Sequence, residues 1–252
     1  MPAQAARHAV RLSTPTTALA AGSARRLGRL SARRYAGFVA YPLDPADYKA
    51  AAFLPEISRD TYLGLPEDVC KLIEVVDGWL VRCERPTPSH QGIQVNFVVA
   101  LREAVKRADA RDSTCHRGVG VIDVLISEAP RFHFRSPDVV VYRCIDEQRG
   151  RWGDRPYASD CVLVLEIVSA DSVTTDIRDK RAEYAAAGIP HYWIVRMTNN
   201  NGPAISVERL LLAYDGQYIS QELRVRGRDF RAVDTVTPFR LELTWEQLDD
   251  GL

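Results

Sequence analysis

One carboxylate stands inside an apolar segment. Residues 161–169 read Cys-Val-Leu-Val-Leu-Glu-Ile-Val-Ser, apolar on both faces apart from Glu166. Such a run suits a central strand covered on both sides. There a carboxylate is costly unless a cation or hydrogen bonds compensate it, so its partner is either an arginine or a metal ion. Asp138 follows Pro137 at the start of Val139-Val140-Val141. Pro-Asp is an ordinary entry to an edge strand, and Asp138 gains meaning only beside a second carboxylate. Lys180 is the third residue of interest. Ile177, Lys180 and Tyr184 recur at i, i+3 and i+7, one stripe of a helix. A lysine in a stripe that faces a sheet either snorkels to the helix edge or turns its ammonium over the strand that carries Glu166. Two carboxylates and a lysine suit phosphodiester cleavage. Carboxylate oxygens match Mg²⁺ or Mn²⁺, which polarises a phosphate and lowers the pKa of an attacking water. The lysine would position that water or stabilise charge on the phosphoryl oxygens.

Those residues need a scaffold, and the patterning outlines one. Residues 71–76 and 79–84 read as strands joined at Asp77-Gly78, a hairpin pair. After Pro86 and Pro88, Ser89 is placed to cap a helix over 90–108, where Ile93, Phe97, Leu101, Val105 and Ala108 recur at helical spacing. Strands are expected at 119–126, 138–143, 161–169 and 191–196. A helix over 174–187 is offered caps by Thr174, Thr175 and Asp176 and is stopped by Gly188 and Pro190. Strand, helix and strand from 161 to 196 imply a crossover within one sheet. Three further strands, near 205–214, 217–225 and 229–235, and a short terminal helix complete the chain. An additional short helix is expected from Asp44 through Phe53.

Composition sets the limits. At 252 residues and 46% hydrophobic, the chain can bury one substantial core. The first 43 residues hold seven arginines and no acid, leaving 26 of the 33 basic residues against all 33 acidic ones, a net charge of −7. Residues 1–44 therefore read as a basic disordered tail, with a transit peptide or an upstream start as alternatives. The domain spans 45–252, its patterned core ending near 198. An acidic core argues against a protein that coats DNA through a broad basic face. Cys70, Cys83, Cys115, Cys144 and Cys161 are odd in number and form no C-x-x-C pair, so free thiols in a reducing, cytoplasmic setting are expected rather than zinc or a disulfide framework. No apolar run reaches membrane-spanning length, and Arg33-Arg34 is followed too soon by Pro42 and Asp44 for a twin-arginine signal.

An ordered set of motifs resembles a known family. Leu65-Pro66-Glu67-Asp68 precedes Glu74-Val75-Val76-Asp77-Gly78-Trp79-Leu80-Val81. Then come Pro86-Thr87-Pro88-Ser89-His90, Ser136-Pro137-Asp138-Val139-Val140-Val141, Leu165-Glu166-Ile167-Val168-Ser169, Asp176, Lys180, Tyr184, Gly188-Ile189-Pro190 and His191-Tyr192-Trp193-Ile194-Val195. Over roughly residues 58–250 this resembles the Uma2 (DUF820) family of restriction-endonuclease-like proteins within the PD-(D/E)XK nuclease superfamily. The resemblance implies an α/β, restriction-endonuclease-like core: a mixed β-sheet flanked by helices, here with extra C-terminal strands. It implies Asp138 and Glu166 as metal ligands, with Glu74 as a further acidic ligand or a solvated strand residue. The superfamily's lysine position, two after the Glu, is Val168 here, and the family's displaced lysine matches Lys180. His90 is expected to touch a phosphate or a site carboxylate, or only to cap its helix. Asp176 is a site residue or a cap, and Tyr184 and Trp193 are core. His8, His116, His133 and His191 have no metal-ligand spacing. The leading expectation is a Mg²⁺- or Mn²⁺-dependent endonuclease acting on DNA, often as a homodimer, with no membrane and no organic cofactor. The alternatives are a catalytically inactive nucleic-acid-binding or protein-interaction module on this fold, or a hydrolase of small phosphoesters in a closed pocket. Arg82, Arg85 or Arg135 rimming the cavity would favour a nucleic acid.

Overall fold

The computed structural model describes residues 56–83, 85–169 and 174–251. The expected tail over 1–44 and the helix from Asp44 to Phe53 lie outside these. Two short helices, α1 (Arg59–Leu63) and α2 (Glu67–Cys70), lead to a hairpin of β1 (Ile73–Val76) and β2 (Trp79–Arg82). Asp77 and Gly78 form its turn with φ of 49° and 83°, the positive values a two-residue type I′ loop requires. Helix α3 (Pro88–Asp112) starts earlier than expected. Its cap is Thr87, whose hydroxyl accepts from the His90 N–H, while the Ser89 hydroxyl donates to Asn201 O at 3.1 Å. Pro88 enters at the first turn, where no N–H is needed.

The single strand expected over 119–126 is two strands in two sheets. They are β3 (His116–Gly120) and β4 (Val124–Ser127), divided at a corner where Val121 N–H bonds Asp138 O at 3.1 Å. Then follow β5 (His133–Arg135), β6 (Val139–Arg143), β7 (Cys161–Val168), α4 (Thr174–Ala186) and β8 (His191–Met197). The C-terminal part adds β9 (Ala204–Leu212), β10 (Tyr218–Val225), β11 (Arg231–Thr235), β12 (Leu241–Thr244) and α5 (Trp245–Leu248). Six strands make a mixed sheet in the order β10-β9-β8-β7-β6-β3. Within it β7 and β8 pair in parallel and the other neighbours run antiparallel. The crossover through α4 accounts for the parallel pair, because a strand followed by a helix returns beside its start. A separate antiparallel sheet has the order β2-β1-β5-β4, and β11 and β12 pair as a two-stranded sheet.

β7 is buried along nearly its whole length, as its composition requires. On one side Leu163, Leu165 and Ile167 pack with Ile93, Phe97 and Leu101 of α3. On the other Val164 and Val168 pack with Tyr184 and Ala185 of α4. The sheet register also corrects the cysteine reading. His116 lies opposite Arg143, so Cys115 and Cys144 are cross-strand neighbours, and they form a disulfide with Cα atoms 5.4 Å apart. Cys70, Cys83 and Cys161 are free thiols. An odd cysteine count does not prevent one bridge, and spacing along the chain carries no trace of strand pairing. Among the described residues no helix is long and apolar enough to cross a membrane.

Candidate active site

Strand pairing brings the two carboxylates together. Val139 faces Leu165 across β6 and β7, and one further step of that register sets Asp138 opposite Glu166. Both fall on the face shared by Val140, Val164 and Val168, which α4 covers. Cross-strand neighbours on one face stand about 5 Å apart at Cβ. The Asp138 Oδ2 accepts from the Ile167 N–H at 2.7 Å, pinning the carboxylate against β7. Among the described residues none donates to Oδ1.

Helix α4 supplies the counter-charge. Lys180 Nζ donates to Glu166 Oε2 at 3.0 Å, and the Tyr184 hydroxyl donates to Oε1 at 2.7 Å. Lysine and tyrosine one turn apart on a helix point the same way, so the stripe that contains Ile177 delivers both to one carboxylate. Lys180 therefore takes the inward arrangement rather than the snorkelled one. Burial raises the Glu166 carboxyl above its ordinary range. Lys180 opposes the rise, and the negative charges of Asp138 and Glu74 add to it. Tyr184 is core as expected, at 0% exposed, but its hydroxyl is also part of the site. Its spacing from Lys180 was the signal for that second role.

His90, near the start of α3, approaches from the opposite side of the sheet. Its Nε2–H donates to Ile167 O at 3.1 Å and lies 3.3 Å from Asp138 Oδ2. Burial lowers its pKa, but the hydrogen bond and charge of Asp138 outweigh that and raise it. Nδ1 is buried and has no hydrogen-bond partner among the described residues. Glu74, at 5% exposed, is not solvated. Its Oε2 accepts from Arg135 at 2.8 Å and its Oε1 from the Ser136 N–H at 2.9 Å.

Asp138, Glu166, Lys180, His90 and Glu74 all line one cavity of about 690 Å³. Lys71, Arg82, Arg85 and Arg155 line it as well, whereas Arg135 does not. A further group had no signal in the sequence. Asp123 accepts from the Tyr62 hydroxyl at 2.8 Å, the Ser136 hydroxyl at 2.9 Å and Arg155 at 2.8 Å. Its members come from widely separated segments, so no local spacing marks them. The side chain of Asp176 lies outside the described ones. Trp193 is core at 1% exposed, and His116 and His133 pair with Asp109 and Glu183.

The donor chemistry of Asp138 and Glu166 fits a hard divalent cation. Two carboxylates share a face, Asp138 Oδ1 takes no donor from a described residue, and the charge of Asp138 disfavours ionisation of Glu166. Mg²⁺ is commonly held by one or two carboxylates and otherwise by water. Among the described residues no group of three or more His, Cys, Asp or Glu converges as a metal cage.

The profile of the Uma2 family, described as "Putative restriction endonuclease", matches residues 59–246. Among solved structures, one from Anabaena variabilis ATCC 29413 is described as "a putative nuclease belonging to DUF820". It matches at 19% identity and a TM-score of 0.55, covering 77% of this chain and 98% of that one. Identity so low carries the fold alone, and the shared fold is the mixed sheet flanked by helices. No curated protein matches this sequence.

Proposed function

This chain belongs to the Uma2 family, and from that premise we propose that it is a divalent-metal-dependent endonuclease that hydrolyses phosphodiester bonds of DNA. The observation that supports this most is the contact of Lys180 Nζ with Glu166 Oε2 at 3.0 Å, beside Asp138 in one cavity. Asp138 and Glu166 would hold Mg²⁺ or Mn²⁺, and the bound cation would supply polarisation of the phosphate and a water of lowered pKa. Lys180, replacing the cation absent at Val168, stabilises negative charge developing on the phosphoryl oxygens. Tyr184 holds one oxygen of Glu166, so that carboxylate keeps a single orientation. His90 orients Asp138. Arg82 and Arg85 at the cavity wall are placed to meet phosphates that flank the scissile one.

A second reading is a catalytically inactive binding module on the same fold. It is favoured by the cations already engaged at the cavity, Arg155 with Asp123 and Lys71 with Glu67, and by the acidic balance of residues 44–252. The separating experiment incubates purified protein with supercoiled and single-stranded DNA, with Mg²⁺, with Mn²⁺ and with a chelator. Metal-dependent nicking that the chelator abolishes supports the enzyme. Binding without cleavage under all conditions supports the module. The cytoplasmic location and the homodimer belong to the same proposal, and light scattering on eluted protein checks the dimer.

A further inference from the structure

Helix α4 carries both groups among the described residues that hydrogen-bond Glu166, yet few of its described side chains are apolar and buried enough to fix its rotation. Among its described residues Tyr184 and Ala185 are the buried ones, and Ile177 packs beside them. A helix held by so narrow a stripe is free to turn about its axis unless a directional contact stops it. Arg181 donates to Tyr218 O at 2.6 Å, and Glu183, three residues after Lys180, adds a contact that fixes angle as well as distance. Its Oε2 accepts from Arg135 Nε at 2.7 Å and its Oε1 from Arg135 NH2 at 2.8 Å, a two-pronged guanidinium–carboxylate pair. His133 Nε2, from the same strand as Arg135, lies 3.2 Å from Glu183 Oε2. The third arm of Arg135, NH1, donates to Glu74 Oε2 at 2.8 Å, while Glu74 Oε1 takes the Ser136 N–H, two residues before Asp138. One buried guanidinium, 3% exposed, thus ties α4 to β1 and to the backbone that leads into Asp138.

We propose that Arg135 and Glu183 are positioning residues, a clamp that holds α4 so that Lys180 and Tyr184 meet Glu166. Only the catalytic consequence of this clamp rests on the nuclease reading. Geometry favours a clamp over general stabilisation, because a planar fork fixes orientation as well as distance. Neither Arg135 nor Glu183 lines the cavity, so neither is a catalytic residue.

The test follows the reactivity of Lys180 itself. Full-length wild-type protein and Glu183→Ala are acetylated with a small amine-reactive reagent, and the rate at Lys180 is read by peptide mass spectrometry against exposed Lys71. Alanine keeps the helix and leaves Arg135 with Glu74. Labelling of Lys180 is expected to quicken by about tenfold or more as α4 loosens locally, with Lys71 unchanged. Glu183→Gln, which retains acceptor and donor groups, restores a slow rate. Arg135→Lys keeps the charge but loses the fork, and its rate should lie between. A wild-type labelling rate at Lys180 in folded Glu183→Ala overturns the clamp. If that variant does not fold, the same result in Arg135→Lys overturns it. Turnover supplies the second readout. Glu183→Ala should lower kcat by about tenfold with KM little changed, the scale of a misplaced catalytic group. In a Lys180→Met background it should cause no further loss. Additive losses mean that Glu183 does not act through Lys180. If wild-type protein cleaves nothing, the nuclease reading fails, and the labelling rates still decide the clamp.

Discussion

Two carboxylate networks flank α4, and they differ in what their oxygens still have to offer. Around Arg135, both oxygens of Glu74 and both of Glu183 are taken by the guanidinium, a backbone N–H or His133. Around Lys180, Glu166 is also engaged twice, but among the described residues Asp138 accepts through Oδ2 and not through Oδ1. Arginine offers five donors in a fixed fork and saturates its partners, whereas lysine is a point charge that neutralises without enclosing. The Arg135 network has the form of a structural joint: Glu74 reaches the cavity, but Arg135 and Glu183 do not. The Lys180 network faces the cavity, where among the described residues none donates to Asp138 Oδ1.

On that contrast, the joint should fail first in stability, its effect on turnover passing through Lys180, and the site should fail mainly as chemistry. The largest effect is expected from Arg135→Met, which leaves Glu74 and Glu183 without their buried cation. Removing one member of a buried ion pair costs about 3–5 kcal/mol, to be measured by urea unfolding; a loss under about 1 kcal/mol, the worth of a surface pair, would erase the contrast. Lys180→Met also leaves a buried carboxylate, Glu166, without its cation. A carboxyl already raised by burial can take up a proton, so the stability loss should be smaller than at Arg135. Turnover should fall by roughly 10²-fold or more, the scale for loss of a preorganised charge. Calorimetric Mn²⁺ affinity should stay near wild type, and turnover close to wild type would remove Lys180 from the mechanism.

Acid should act on the joint through Glu183. Burial alone would raise this carboxyl, but hydrogen bonds from His133 and Arg135 bring it down to about 2. A folded-state pKa below the unfolded one adds stability that is complete above the ordinary range near 4.5 and drains away as pH falls toward 2. The contribution is on the order of 2 kcal/mol after allowance for partial exposure. Unfolding free energies of wild type and Glu183→Gln should therefore converge between about pH 5.5 and pH 2.5. A constant difference over that interval assigns the acid sensitivity elsewhere.

Asp138→Ala probes the open oxygen. Mn²⁺ binding should weaken by about tenfold or more, while the metal-free protein should change little in stability, because relief of one of two neighbouring negative charges offsets the lost bond from the Ile167 N–H. Identical affinities in the two proteins would show that Asp138 is no ligand. The smallest effect is expected far from both networks. Removing residues 1–44, rich in Ala, Arg, Ser and Thr, should leave the melting temperature unchanged, since such a composition buries little apolar surface. A clear drop would mean that this segment packs on the domain.

Much of this was readable from residue order, and for local reasons. The run around Glu166 announces a doubly covered strand because water must be excluded from both its faces. The spacing of Ile177, Lys180 and Tyr184 announces one helical stripe because the repeat of 3.6 residues places them together. Asp77-Gly78 announces a hairpin turn through the dihedral angles that turn demands. The short strand His133–Arg135 was not readable, since its pattern HFR carries two groups that normally seek water. They are buried at 5% and 3% exposed only because Glu183 and Glu74 meet them. Those partners lie 48 to 61 residues away along the chain. The split of 119–126 into two sheets, the bond between Cys115 and Cys144, and the convergence on Asp123 share that origin.

The sequence by itself determined which residues could do chemistry, because a charge inside an apolar strand or stripe is costly wherever the chain folds. Tertiary structure alone decided which oxygens were spent and which stayed open. Strand register and the rotation of α4 set those contacts, and both are fixed by partners remote in sequence.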